Sequence, residues 1–356
     1  MEKVYFSNLN GAPEDGVLEK LRRLCLAAGL DGFVREGELT AVKLHFGELG
    51  NTRMLRPQFV SVPVSIIKGK GAVPFLTDCN TLFMRRRYHA PAHLETARFN
   101  GFDAAVTGAP LVIADGLRGL DYRVVKSGGD LGEVKVGAAI YEADKLVVLT
   151  HFKGHEDTGF GGILKNLGVG AVARPGKLKL HTRRKPVIDQ QLCTGCGLCL
   201  QQCLRGAVLQ RDDGYFIDQE RCTSCGDCLV SCPQRAIPLC FDLEGVELQK
   251  RLVEACAVVL ANKQGRAFYV SFLMDVTPYC DCRSWSPAPL VSDLGMLAGR
   301  DPLAVEQASF DLVETAITRA YPGKRLADFT GVEGAHQLVF AEEAGLGSRG
   351  YALVEV

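Results

Sequence analysis

Cys193-Thr-Gly-Cys196-Gly-Leu-Cys199-Leu-Gln-Gln-Cys203 and Cys222-Thr-Ser-Cys225-Gly-Asp-Cys228-Leu-Val-Ser-Cys232-Pro233 carry one spacing, C-x2-C-x2-C-x3-C, twice. Few chemistries use thiols at such a repeat. Structural zinc needs two C-x2-C pairs and would leave the third cysteine of each run surplus. A disulfide framework belongs to small secreted chains.

The reading the spacing favours is that of bacterial two-cluster ferredoxins, in which three close thiolates hold one cubane and the fourth reaches the other. On that reading Cys193, Cys196, Cys199 and Cys232 hold one [4Fe-4S] cluster, and Cys222, Cys225, Cys228 and Cys203 hold the second. Gly195, Gly197 and Gly226 let the backbone turn tightly and aim amide hydrogens at sulfide. Leu204 stands where a proline would close the first run, as Pro233 closes the second.

Working outward, a chain of 356 residues can bury a large core, as one large domain or two. Forty-one basic residues balance forty-one acidic ones, so nothing points to nucleic acid or an anionic membrane. The start, Met1-Glu2-Lys3-Val4, lacks the charged and apolar regions of a signal peptide, and no apolar run is long enough to span a bilayer. The expectation is a soluble cytoplasmic protein. In that compartment fourteen cysteines mean metal ligation or buried thiols.

Elsewhere short apolar runs alternate with longer amphipathic ones, the sign of an α/β fold with a mostly parallel sheet and helices on both faces. Strands are expected at 4–6, 40–46, 73–77, 111–113, 122–125, 145–150, 266–272 and 351–354. Helices are expected at 17–28, 59–68, 91–100, 245–261, 302–319 and 335–344. The first helix would bury Leu18, Leu21, Leu24 and Cys25, and Lys145-Leu-Val-Val-Leu-Thr150 has the unbroken apolar character of a sheet centre. Such segments continue past the cysteine block. Residues 1–186 plus 241–356 therefore read as one discontinuous α/β domain, interrupted by a two-[4Fe-4S] ferredoxin domain at 187–240, with Pro186 and Pro238 at the junctions.

Open α/β sheets bind ligands beyond the carboxyl ends of their strands. Following the expected strands come His45, Asp78-Cys79, His151 and Asp275. Any one of these could simply cap a loop. The segment His151-Phe-Lys-Gly-His155 is denser and leads through Gly159-Phe-Gly-Gly162 into a helical stretch with Lys165 and Asn166. Gly159, Gly161 and Gly162 could present backbone amides to an anion, with charge from Lys153 and Lys165. The spacing is neither a P-loop nor a dinucleotide fingerprint, and the bland alternative is a glycine turn packed on the sheet. His151, His155 and nearby His181 could hold a metal, but Gly154 argues against the rigid helix an i, i+4 pair needs. Substrate contact or proton transfer is the favoured role.

In Cys280-Asp281-Cys282 an extended chain points both thiols the same way, as a metal site, a redox pair or merely a bend. Cys25 and Cys256 fall on apolar helix faces and read as core. Arg85-Arg86-Arg87 and the basic tract 177–185 read as solvated loops, the second placed to steer an acidic redox partner.

Four motifs in order then resemble the domain of unknown function 362 family, in its ferredoxin-containing branch. They are Lys43-Leu-His45-Phe-Gly-Glu48, Thr77-Asp78-Cys79-Asn80-Thr81, His151 to Gly168 with its glycine turn and Lys165-Asn166, and Asp301-Pro302-Leu-Ala304. Glu306 departs from the family's D-P-x-A-x-D pattern, and Tyr279 precedes the Cys-x-Cys where an acidic residue is common. The resemblance implies a two-cluster insert and little further chemistry.

Two functions compete. In the first, an iron-sulfur oxidoreductase passes electrons to a small-molecule substrate held by His45, Asp78, His151, His155 and Lys165, whose imidazoles supply protons. In the second, the chain is an electron-transfer or metal/cofactor maturation partner that docks another protein, with an additional metal at Cys280 and Cys282. The number of charged and imidazole groups at one edge favours the enzyme. No flavin signature is visible, although a flavin held by loops would leave none.

Overall fold

The apolar run at 145–150 forms the middle of the main sheet in the computed structural model, which describes residues 1–82, 86–238 and 241–356. Eight strands make this sheet: β1 (Glu2–Ser7), β2 (Leu39–Lys43), β3 (Val73–Asp78), β4 (Leu111–Ile113), β5 (Lys145–His151), β6 (Ala267–Leu273), β7 (Gly295–Gly299) and β8 (Tyr351–Glu355). Their order is β8-β1-β7-β6-β5-β2-β3-β4. Only β7 runs antiparallel to its neighbours, pairing Ala298 with Tyr5 on one side and with Val270 on the other. The remaining strands share one direction. Their carboxyl ends therefore meet along one edge.

Alternation along β5 explains the layering. Leu146 and Val148 point into one core, Val147 and Leu149 into the other, and all four are fully buried. The first core packs helices Ile163–Gly168, Gly245–Ala261, Pro302–Ala320 and His336–Glu343, through residues such as Ile163, Leu252, Val305 and Leu338. The second packs Val17–Ala27, Pro57–Gly69 and Ala90–Phe99 through Leu21, Leu24, Phe59 and Ala97. Each such Leu or Val stabilises the fold by roughly 1.5–3 kcal/mol through burial. Helix starts are marked chemically: Pro302 opens its helix and the Asp301 carboxylate accepts the Ala304 N–H at 2.8 Å.

Several expectations change. Strand β2 ends at Lys43, so His45 lies in the loop beyond it. Leu18 is 41% exposed, because the helix Val17–Ala27 turns Leu21, Leu24 and Cys25 inward instead. Arg85 lies outside the described residues, but Arg87 is buried, as are Arg174 and Lys177 of the helix Arg174–His181. These basic residues are not solvated, since each finds internal acceptors. Among the described residues no helix is long and apolar enough to cross a membrane.

The cysteine-rich stretch has its own small core of Cys199, Val208, Tyr215 and Ile237. Around it lie helices Leu198–Gln202 and Asp227–Ser231 and a hairpin of Val208–Arg211 with Gly214–Ile217. A largely parallel central sheet with flanking helices is as expected, although Gly295–Gly299 is a strand not expected and Tyr122–Lys126 pairs outside this sheet; the inserted two-[4Fe-4S] ferredoxin is corrected. Among the described residues no group of three or more His, Cys, Asp or Glu side chains stands where it could hold a metal ion.

Candidate functional site

The carboxyl ends of β2 and β3 are joined by an ion pair with almost no solvent contact. Lys43 Nζ lies 3.0 Å from Asp78 Oδ1 and 2.7 Å from Asn166 Oδ1. Two charges taken out of water in this way persist only when each is answered by several partners. Burial works to raise the Asp78 carboxyl, yet Lys43, His93, His45 and Lys177 hold it below its usual range. Burial likewise lowers Lys43, against the pull of Asp78.

His45 sits beside this pair. Its Nε2 is 3.0 Å from Arg87 Nη1, while the Gly47 N–H points at Nδ1 from 3.0 Å. Burial, and then the Arg87 charge, push the imidazole down to about 3. Arg87 is held in turn by Glu48, with Nε 3.2 Å from Oε2.

At the end of β5, His151 is gripped from both sides: Nδ1 is 2.9 Å from Asp281 Oδ2 and Nε2 is 2.7 Å from the Met274 carbonyl oxygen. Both partners are acceptors, one a carboxylate and the other a backbone carbonyl. Lys153 adds an ammonium group 3.4 Å from Asp281 Oδ2. Burial raises the Asp281 carboxyl, but His151 and Lys153 outweigh it and bring it to about 2.

Asp281 thus anchors the Cys280-Asp281-Cys282 segment by its middle residue. The thiols are directed to another set of groups. Cys280 is held well below an ordinary thiol, foremost by the Cys282 hydrogen bond and then, against burial, by Lys165 and by a hydrogen bond from His155. Cys282, the donor of the pair, is raised. The Asp157 N–H donates to His155 Nδ1 at 3.1 Å. Lys165 makes no hydrogen bond or ion pair with a carboxylate among the described residues, and it is partly exposed.

The glycine turn has a different occupant from a ligand. Ile163 and Leu164 N–H groups, at the start of the helix Ile163–Gly168, donate to Glu306 at 2.8 and 3.0 Å. Gly162 leaves room for that carboxylate, and Gly161 lies against Lys153 and Lys165. Gly159 has φ +79° and touches the backbone of Gly334, which a Cβ would not permit. Burial raises Glu306 to about 7.

Of the histidines expected together, His151 and His155 do converge on the 280–282 segment, whereas His181 hydrogen-bonds the Lys177 carbonyl oxygen at 2.8 Å and packs on Phe241. Asp275 adopts φ +48° and receives Arg53 at 2.7 Å and Arg56 at 2.6 Å. Sequence reasoning missed His93, Arg87, Glu48, Lys43 and Asp281 as parts of the site. His93 is wholly buried 3.8 Å from Asp78 Oδ2, and neither ring nitrogen makes a hydrogen bond. Nothing local in Ala90–Phe99 marks it, because its partner comes from β3.

The eight cysteines of the repeat gather around two small cavities. Cys193, Cys196, Cys199 and Cys232 line one of ≈ 20 Å³, and Cys203, Cys222, Cys225 and Cys228 line another of ≈ 20 Å³. Burial raises Cys199, Cys225 and Cys228, the last to about 12, and the Cys225 thiol donates to Asp227 Oδ2 at 3.5 Å. With no metal-holding group among the described residues, the two [4Fe-4S] clusters and the electron transfer built on them are corrected, as are the iron-sulfur oxidoreductase and the electron-transfer or maturation partner. The same finding removes the expected additional metal at Cys280 and Cys282.

A largely parallel sheet whose strand ends bring carboxylates, imidazoles, ammonium groups and a thiol pair to one buried place defines an α/β protein with a polar site at its carboxyl edge. The chain belongs to the family described as domain of unknown function (DUF362), whose model matches residues 40–311. The narrower placement in a ferredoxin-containing branch is corrected with the clusters. The chain is similar to the lactate racemase apoprotein from Thermoanaerobacterium thermosaccharolyticum, at TM-score 0.45 and 10% identity, over 88% of this chain and 57% of that one. It is similar also to a structural-genomics protein from Thermotoga maritima, at TM-score 0.40 and 12% identity, over 89% of this chain and 59% of that one. It thus spans less than two thirds of either. No curated protein matches it.

Proposed function

We propose that the protein binds a small anionic molecule at the carboxyl edge of the sheet, with Lys165 pairing the ligand's charge and Cys280 and His155 placed to exchange a proton with it. The observation that carries this reading is Lys165, a partly exposed ammonium group with no carboxylate partner among the described residues, acting on the Cys280 thiol that His155 also touches. An unanswered cation at the mouth of a buried polar cluster is a natural counter-charge for a carboxylate or phosphate. His45, Asp78 and His151 stand behind this front, each engaged by protein partners that fix the floor of the site. We take residues 1–186 plus 241–356 as the body that builds the site and 187–240 as a separate module, on the strength of the module's own core. Cytoplasmic residence is supported by the thirteen described cysteines, all of them free thiols.

Calorimetry with a panel of small carboxylates and phosphates tests the reading, using Lys165→Met, Cys280→Ser and the surface variant Lys68→Met. One ligand class should bind the wild type and Lys68→Met alike and lose about tenfold or more in affinity in Lys165→Met, the loss expected for roughly 1.4 kcal/mol. Binding that is unchanged in Lys165→Met, or no binding by any member, overturns it.

A further inference from the structure

We propose that Arg87 and Tyr88, neighbours in sequence, are positioning residues that tie the cysteine-rich module to the strand-end site, so that the surroundings of Cys225 are felt at His45. This goes beyond the ligand reading and is tested without a ligand.

The two side chains leave the backbone in different directions. Arg87 enters the site, with Nη1 3.0 Å from His45 Nε2 and Nε 3.2 Å from Glu48 Oε2. Tyr88 enters the module, where its hydroxyl donates to Asp227 Oδ1 at 2.6 Å. The same carboxylate takes Arg174 Nη2 at 2.6 Å, and the Arg174 guanidinium stacks 4.2 Å above the Tyr88 ring. Asp227 Oδ2 receives the Cys225 thiol, one of the four that line the second cavity. Arg87, Arg174 and Asp227 are buried, while His45, Tyr88 and Cys225 are half-buried. A chain of contacts therefore runs from Cys225 through Asp227, Tyr88 and Arg87 to His45.

At the far end the chain meets a group with two states. Neutral imidazole has one hydrogen and one lone pair, but His45 is approached by N–H donors at both nitrogens. The ring can accept from only one of them at a time. With Arg87 in place we take the charged donor to win Nε2, which puts the ring hydrogen on Nδ1 and leaves the Gly47 N–H facing it without an acceptor. If Arg87 withdraws, the Gly47 N–H claims Nδ1 and the hydrogen moves to Nε2. The position of Arg87 thus selects the tautomer of His45, and Tyr88, the next residue, anchors to Asp227 the backbone that carries Arg87.

The test is nitrogen NMR of the full chain labelled in histidine, with the His45 resonances assigned by His45→Gln. Tyr88→Phe removes one hydroxyl, and Asp227→Asn removes the charge that orients both Tyr88 and Arg174. Both variants should move the His45 nitrogen shifts from the Nδ1–H pattern toward the Nε2–H pattern, while His336, on a helix outside this chain of contacts, stays unchanged. A purely structural role would leave the tautomer alone. Unmoved His45 shifts in Tyr88→Phe, the milder variant, overturn the proposal even if Asp227→Asn does not fold.

Discussion

His151 Nδ1 lies 2.9 Å from Asp281 Oδ2, so the last residue of the central strand is fastened to the loop that carries both thiols of the site. This contact is a support for the site, since the other ring nitrogen is occupied by the Met274 carbonyl oxygen. His151→Ala is therefore expected to destabilise the protein by about 1–3 kcal/mol, the scale for leaving buried hydrogen-bonding groups without their partner. Urea denaturation checks this, and a midpoint equal to wild type would remove His151 from the frame.

Acid stability should report Asp281. Its carboxyl is depressed to about 2 in the folded chain, against an ordinary value of 3.8. A depressed acid contributes stability that is fully present above its unfolded value and is lost as the pH falls through the folded one. That contribution, on the order of 2 kcal/mol, should disappear between about pH 4 and pH 2. Acid unfolding of Asp281→Asn should lack this component, with a flatter curve across the same interval.

Glu306 has the opposite sign. Burial raises it from 4.5 to about 7, so the folded chain keeps a proton that the unfolded chain releases. Stability is then greatest below the unfolded value, declines as the pH rises from about 4.5 to 7 and levels off beyond, by roughly 3 kcal/mol in all. Melting temperature against pH for Glu306→Gln should be flat over that range; a slope equal to wild type would show that another group is responsible.

Gly168 allows two helices to touch through their backbones. A Cβ at this position would strike the Leu252 carbonyl oxygen of helix Gly245–Ala261. Gly168→Ala should cost about 1–3 kcal/mol through overpacking, read as a lower chemical-denaturation midpoint. By contrast, Gly32→Ala, which has open space around it, should differ little from wild type.

The parts of the fold that were legible are those in which local pattern and burial agree. Leu146 to Leu149 are apolar without a break and lie buried on both faces of the sheet. Strand β7, Gly-Met-Leu-Ala-Gly, escaped because glycines at both ends and no β-branched residue give it no strand signature. In the site, His45, Asp78 and His151 were visible as polar residues following apolar runs. Arg87 and Lys177 were misread because basic tracts are usually wet; their burial depends on acceptors far along the chain, Glu48 for one and the carbonyl oxygens of Asn80 and Val172 for the other. The spacing of the cysteines spoke for clusters, whereas the arrangement of the described side chains does not offer a metal-holding group.

The placement of Asp227 limits how freely the cysteine-rich stretch could be exchanged or removed. Excising residues 187–240 would take away the carboxylate that neutralises Arg174 and the Thr223 carbonyl that receives Lys135 at 3.3 Å. Two cations, one of them with no solvent contact in the intact chain, would then face a gap. A transplant into a related body would need an acid at this position and an arginine and a tyrosine waiting for it. The stretch is inserted in sequence, but its electrostatics make it part of a matched set, and heredity would have to carry the three residues together.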